Sequence, residues 1–236
     1  MTETANLGLP LLAEAQAQKH VTVNEALVRL DAVGQLRLLS VTQTLPPAVA
    51  ADGDCYGVPF GAVNAWSGQE GRVAVWSNGG WLFLTPSLGW RGWVADVAAV
   101  AVFDGSDWVV GAVALSPNGA ATRQDILEVD HVIAAGNSSS LVGAIPAHSM
   151  VIGVTGRVSG TISGTLTGWR LGVAGADNRY GSGLGLNVGS WVRGLTGAPV
   201  TYYADTDLLL SAEAGDFAGG SVRLCVHLLQ LDLPNL

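Results

Sequence analysis

SVRLCVHLLQLD, residues Ser221–Asp232, sends Val222, Leu224, Val226 and Leu228 to one side and Arg223, Cys225, His227 and Leu229 to the other. Successive side chains of a strand point to opposite faces, so this period of two predicts a strand with one face in a core. The second face is less polar than solvent prefers, which predicts that another subunit or a second sheet covers it. Upstream, turn-bounded runs with strand composition fall at His131–Ala135, Ser149–Val154, Gly168–Val173, Ser190–Arg193, Val200–Tyr203 and Asp207–Glu213. Seven such runs predict a β-sandwich of jelly-roll type over residues 131–236.

Working back toward the N-terminus, the polar stretch SPNGAATRQD, Ser116–Asp125, reads as a domain boundary and 116–130 as a linker; the same stretch could open a short subunit-associating segment. Residues 1–115 carry two hairpins. In one, Arg72–Trp76 turns through SNGG into Trp81–Leu84, Asn-Gly supplying the positive φ angles of a tight turn. In the other, Val100–Phe103 turns through DGSD into Trp108–Gly111. VAVW from Val73 and VAVF from Val100 stand 27 residues apart (73 to 100), and Trp81 and Trp108 keep that offset. Trp66 and Trp93 keep it too, although GDCYGVP at Gly53 aligns equally well with GWVAD at Gly92, which leaves the edge of the repeat open. The aromatics suit two hairpins packed on each other, with a dedicated aromatic binding platform as the other reading. Ahead of the hairpins, Glu14–Leu39 has helical periodicity, with Val23, Ala26, Leu27, Leu30 and Val33 as the apolar stripe, Thr22 and Glu25 as a capping box and Gly34 as a stop. The fold class expected is mainly β: a small N-terminal helical and β-hairpin attachment region over 1–115, then a C-terminal sandwich.

Composition narrows the function. Hydrophobic residues are 49% of the 236, charged residues 13%, and Gly fills 32 positions, which excludes a disordered acidic chain. The net charge is −8, and the cations are Lys19 and ten scattered arginines, too dispersed to follow a phosphate backbone. Nucleic acid is therefore not the expected partner. Charged or turn residues interrupt every apolar stretch well short of the ~18 residues of a membrane span, so no membrane insertion is expected. Glu3 ahead of a short apolar patch, without a basic region, does not make a secretory signal, and synthesis in the cytoplasm follows. Cys55 and Cys225 read as ordinary thiols.

The residues that carry chemistry lack catalytic spacing. His20, His131, His148 and His227 form no HExxH or close pair, Ser138–Ser140 read as a loop without a GxSxG elbow, and Asp205 and Asp207 read as turn residues rather than a glycosidase pair. Neither an enzyme, a metal nor a cofactor is expected. What remains suits a glycan or a protein chain: Trp169, then Asn178, Arg179 and Tyr180 in a loop, Trp191 beside Arg193, and Tyr202, Tyr203 and Asp205. Aromatic faces stack on the C–H faces of sugar rings while Arg, Asn and Asp supply directional hydrogen bonds. Core or subunit-contact packing is the competing account of Trp169 and Trp191.

Three segments carry a resemblance: NLGLPLLAEAQAQKHVTVNEAL from Asn6, GDCYGVPFGAVNAWSGQEGRVAVWSNGGWLFLTPSLGWRGWVAD from Gly53, and YYADTDLLLSAEAGDFAGGSVRLCVHL from Tyr202. Together they resemble an uncharacterised domain family found in tail-fibre and spike proteins of phages and of gene transfer agents of alphaproteobacteria. The resemblance implies the surface of a phage-like particle, where multivalent display would suit a homo-oligomer, a trimer for a fibre or a pentamer at a capsid vertex. It implies an N-terminal part that attaches to other particle proteins and a C-terminal part that meets cell-surface polysaccharide such as a capsule. The family's C-terminal pattern matches at Arg179, Gly181, Tyr203, Asp205, Phe217, Gly220 and Arg223, and it brings no catalytic motif. An adaptor or baseplate protein, and a glycan-degrading depolymerase, stand as alternatives.

Overall fold

The computed structural model describes residues 2–13 and 19–234. The chain divides into two compact units, Met1–Leu115 and Ser116–Leu236, and is mainly β. In the first unit, α1 spans Lys19–Gly34 and is followed by β1 Arg37–Leu38, β2 Cys55–Gly57, β3 Val73–Ser77, β4 Gly80–Leu84, β5 Arg91–Val94, β6 Ala99–Phe103, β7 Trp108–Val110 and β8 Ala112–Leu115. The part of the expected helix at 14–18 lies outside the described residues. α1 stops at Gly34 as its sequence predicts, but helical residues precede Thr22, so no capping box forms there. Leu27, Val28, Asp31, Ala32 and Val33 point inward, whereas Val23, Ala26 and Leu30 of the expected stripe are exposed. Asp31 sets that orientation. Its buried carboxylate accepts hydrogen bonds from the Thr4 hydroxyl (2.6 Å), the Leu7 N–H (2.6 Å) and the Asn6 N–H (3.0 Å), tying the N-terminal segment to the helix. Burial alone would raise its pKa; these hydrogen bonds outweigh burial and leave it below the ordinary carboxylate value.

β1 is the centre of a seven-stranded sheet, β4–β3–β2–β1–β5–β6–β7, and is parallel to both β2 and β5. An antiparallel meander runs outward on each side, β2–β3–β4 and β5–β6–β7. The repeat is thus a pair of meanders flanking one strand, with the two hairpins at opposite ends of the sheet rather than packed on each other. β2 corresponds to β5, which selects the alignment of GDCYGVP with GWVAD. Trp66 and Trp93 are not equivalent. Trp66 sits in a single 3-10 turn, Asn64–Trp66, inside the long β2–β3 connection, and the short β5–β6 connection has no counterpart. The Asn78–Gly79 turn has φ of 49° and 78°, the positive pair that a two-residue hairpin requires. Residues of β2, β3 and β4 alternate between two cores, Cys55, Val73, Val75 and Leu84 on one face and Tyr56, Ala74, Trp81 and Phe83 on the other, where Trp66 of the 3-10 turn packs.

The second unit contains β9 Ala121–Val132, β10 Ser138–Ile145, β11 Ser149–Gly164, β12 Gly168–Val173, β13 Ala176–Leu184, β14 Trp191–Tyr202, β15 Thr206–Glu213 and β16 Phe217–Leu231. They form an antiparallel sandwich of a smaller sheet, β10–β15–β12–β13, and a larger one, β14–β11–β16–β9. Four expectations change here. Most of 116–130 is not a linker but strand β9, paired along its length with β16 from Thr122↔Leu231 to Val132↔Ser221. Its inward Leu127 and Val129 alternate with outward Glu128 and Asp130, and charge on the solvent face hid the strand. The serine run belongs to β10, where Ser139 is buried. Residues 177–180 lie in β13, not a loop. The two short runs at 190–193 and 200–203 are one strand, β14, joined across a register shift between Val151 and Gly153 of its partner.

One apolar cluster fills the sandwich, including Val154, Leu171, Leu208, Leu210, Leu224 and Trp169. β14 lies close against β13 at Gly194, where a Cβ would stand 2.2 Å from the Tyr180 carbonyl oxygen. Only a residue without a side chain lets β14 lie against β13 there.

Candidate functional site

The alternation of β16 builds the site. Val222, Leu224, Val226 and Leu228 are all essentially buried, which forces Arg223, Cys225 and His227 onto the outer face of the larger sheet. Register then assembles their neighbours from strands far apart in sequence. One row across the face reads Trp191, Arg157, Arg223, Asp130; the next reads Arg193, Thr155, Cys225, Glu128; a third reads Leu195, Gly153, His227, Ile126. Thr155, Arg157, Trp191, Arg193, Arg223 and Cys225 of the first two rows line an open groove of about 450 Å³.

Trp191 is 62% exposed and the Arg193 guanidinium carbon lies over its ring, 5.8 Å from the centroid, within cation–π range. Arg223 donates from Nε and Nη2 to the two Asp130 oxygens, both at 2.8 Å, with a Glu128 oxygen 3.7 Å away. Those hydrogen bonds hold Asp130 below the ordinary carboxylate value and Arg223 above the ordinary guanidinium value. Arg157 donates to the Gly189 carbonyl at 3.1 Å, and among the described residues neither Arg157 nor Arg193 is in an ion pair. Burial, then the 3.6 Å contact to Glu128, pushes the Cys225 thiol pKa up, so it is a poor nucleophile on this face. The Thr155 hydroxyl and His227 Nε2 are 2.9 Å apart. The arrangement offers stacking and charge-directed hydrogen bonding on rigid strands.

The residues expected to bind a glycan separate into three groups. Trp191 is on this face. Trp169, 2% exposed, and Tyr180, 3% exposed, are core: the Trp169 indole N–H donates to Gly185 O (3.0 Å), and the Tyr180 hydroxyl hydrogen-bonds that of half-buried Tyr202 (2.8 Å). Each is removed from the site because β12 and β13 turn it into the sandwich. Asn178, Arg179, Tyr203 and Asp205 are exposed but do not line the groove, and Asp205 has local work, accepting the Ala147 N–H at 2.8 Å. Asp207 accepts the Gly143 N–H at 2.8 Å from within β15, so only Asp205 lies in the connection between strands and the reading of both as turn residues is corrected for Asp207. Sequence reasoning passed over Arg157, Glu128 and Asp130. The signal was the outward set of Ser221–Asp232, which named Arg223, Cys225 and His227 but not the strands beside them.

Two other clusters have catalytic residue types. His131 Nε2 and the buried Ser139 Oγ are 2.8 Å apart, and that oxygen also accepts the Ala134 N–H, so the pair joins β9 to β10 inside the sandwich. Burial lowers the His131 pKa. Cys55 is buried in the first unit, its pKa pushed up to about 12 by burial and then by Asp31 and Asp54. Among the described residues no group of three His, Cys, Asp or Glu side chains could hold a metal ion, and no helix is long and apolar enough to cross a membrane.

A family model described as "Protein of unknown function (DUF2793)" matches residues 23–109, from α1 into β7. That region of the first unit is thus similar to an uncharacterised domain, and the closing segment from Tyr202 lies outside the match. A chain of the solved structure "Cyanophage Pam1 capsid asymmetric unit" is 22% identical, with a TM-score of 0.31, over 48% of this chain and 86% of that one. No curated protein matches the sequence.

Proposed function

We propose that this chain is a non-enzymatic spike or fibre subunit of a phage-like particle, a phage or a gene transfer agent, and that its second unit binds cell-surface polysaccharide. The observation that carries the binding reading is Trp191: a large aromatic, mostly exposed, fixed on a strand and ringed by arginines in an open groove. A solvent-facing indole presents a flat surface suited to the C–H face of a sugar ring, and the guanidinium groups direct hydrogen bonds to its hydroxyls. Attachment through the first unit and the particle itself rest on the resemblance of the opening, middle and closing segments, and homo-oligomeric assembly rests on the gain from multivalent display. Weak single-site affinity suits such a display, since several linked copies raise avidity without a deep pocket.

Affinity electrophoresis of the full chain through gels cast with capsular polysaccharides tests the reading. Retardation is expected, and Trp191→Ala weakens it about tenfold or more, because truncating a central aromatic commonly costs ~2 kcal/mol or more. Equal retardation of wild type and Trp191→Ala removes the site from this face; no retardation in any capsule removes polysaccharide binding. The third row favours a second reading, a particle adaptor that binds protein alone, because Leu195 is 74% exposed and Ile126 is exposed at the other end of that row. An adaptor would pass through every gel unretarded.

A further inference from the structure

We infer that the saccharide bound on this face is an acidic one, its carboxylate held by Arg157 and Arg193 while its apolar face lies on Trp191. The inference rests on the saccharide-binding reading and adds the charge and orientation of the ligand. The chain has only 11 cationic side chains against 19 acidic ones, yet three arginines converge on one groove. They are not equivalent. Arg223 is consumed by its paired hydrogen bonds to Asp130. Arg157 spends one N–H on the Gly189 carbonyl, Arg193 is placed against the Trp191 ring, and neither has a carboxylate partner among the described residues.

The face is therefore polarised across the strands. Positive charge without a partner lies on β14 and β11, and Asp130 and Glu128 lie on β9. Neighbouring strands are ~4.8 Å apart, so Trp191 and Asp130, three strands away in the same row, are separated by roughly 14 Å. A ligand carboxylate is repelled from the β9 side and drawn to the β14 side, where the two guanidinium groups offer planar, paired donors of the geometry a carboxylate accepts. A neutral sugar would use Trp191 and leave both charges without a counter-ion. Arg157 and Arg193 are exposed, so their removal does not threaten the core.

A glycan array carrying neutral, uronate-containing and sialylated glycans, probed with the full chain, tests this. Binding is expected on the carboxylated members, at least tenfold above their neutral counterparts, weakening as NaCl is raised. In the Arg157→Gln/Arg193→Gln double variant the preference for acid is lost while oligomer mass and melting temperature are unchanged. Equal binding of neutral and acidic glycans, or an acid preference that survives in the double variant, overturns the acidic ligand while leaving saccharide binding standing. An array blank for wild type overturns both. Trp191→Ala separates the two claims further, since it is expected to weaken acidic and neutral glycans alike.

Discussion

The two units bury their sheets with opposite kinds of contact. In the first, apart from β1 on β5, the strands that pair are neighbours in the chain: the β3–β4 and β6–β7 hairpins are each closed by an aromatic pair, Trp76 on Trp81 and Phe103 on Trp108, across a turn of two or four residues. In the second, apart from the β12–β13 hairpin, the strands that pair are distant, as Arg223 and Asp130 show at a separation of 93 residues. Local contacts need little loop closure, so turn chemistry and aromatic content specify them; distant contacts depend on how whole faces fit. The first unit should therefore answer most to loss of an aromatic, and the second to loss of close approach.

The largest expected effect is Trp66→Ala. Trp66 is fully buried and stands 5.2 Å from the Tyr56 ring and 5.1 Å from the Trp81 ring. Its loss should destabilise the first unit by ~3–5 kcal/mol, the usual cost of emptying an aromatic site in a core. Hydrogen exchange would report it, with β2 and β3 amides losing protection while β11 and β16 keep theirs. Equal loss in both units would break the comparison, since it would make them one cooperative structure. Gly194→Ala reverses the pattern. Its new Cβ meets the Tyr180 backbone, and overpacking of this kind costs ~1–3 kcal/mol, here expected in the second unit alone. Unchanged stability would mean that β13 and β14 have slack.

The same division governs what is legible in the sequence. The Asn78–Gly79 turn, the Gly168–Val173 strand and the inward set of β16 are each fixed by a few consecutive residues, and each is found as read. β9 was hidden because Gln124, Glu128 and Asp130 make a polar outer face that looks like linker. Trp169 and Tyr180 carry the right chemistry for sugars, but strand parity turns them inward, and parity is set by a register no local pattern states. Trp191 was readable as a candidate. Its companion Arg223 was legible only as an outward residue of its own strand and Arg157 not at all, since a cross-strand row exists only once β11, β14 and β16 are aligned.

The smallest expected effect compares the two hairpins with each other. Aromatic pairs contribute ~0.5–1.5 kcal/mol beyond burial, and double-mutant cycles at Trp76/Trp81 and Phe103/Trp108 measure that coupling directly. Trp76 and Trp81 meet edge-on at 4.9 Å and 69°, whereas Phe103 and Trp108 are 5.4 Å apart and tilted at 52°. The stronger coupling should be in the first hairpin, because Trp81 is itself braced by Trp66 at 5.1 Å and Tyr56 at 5.9 Å, which hold its ring in the edge-on geometry. In a Trp66→Ala background that bracing is gone, and the two couplings should converge. Equal couplings in the wild-type chain would show that each pair acts alone, and the long β2–β3 connection would then supply core volume without tuning the hairpin it covers.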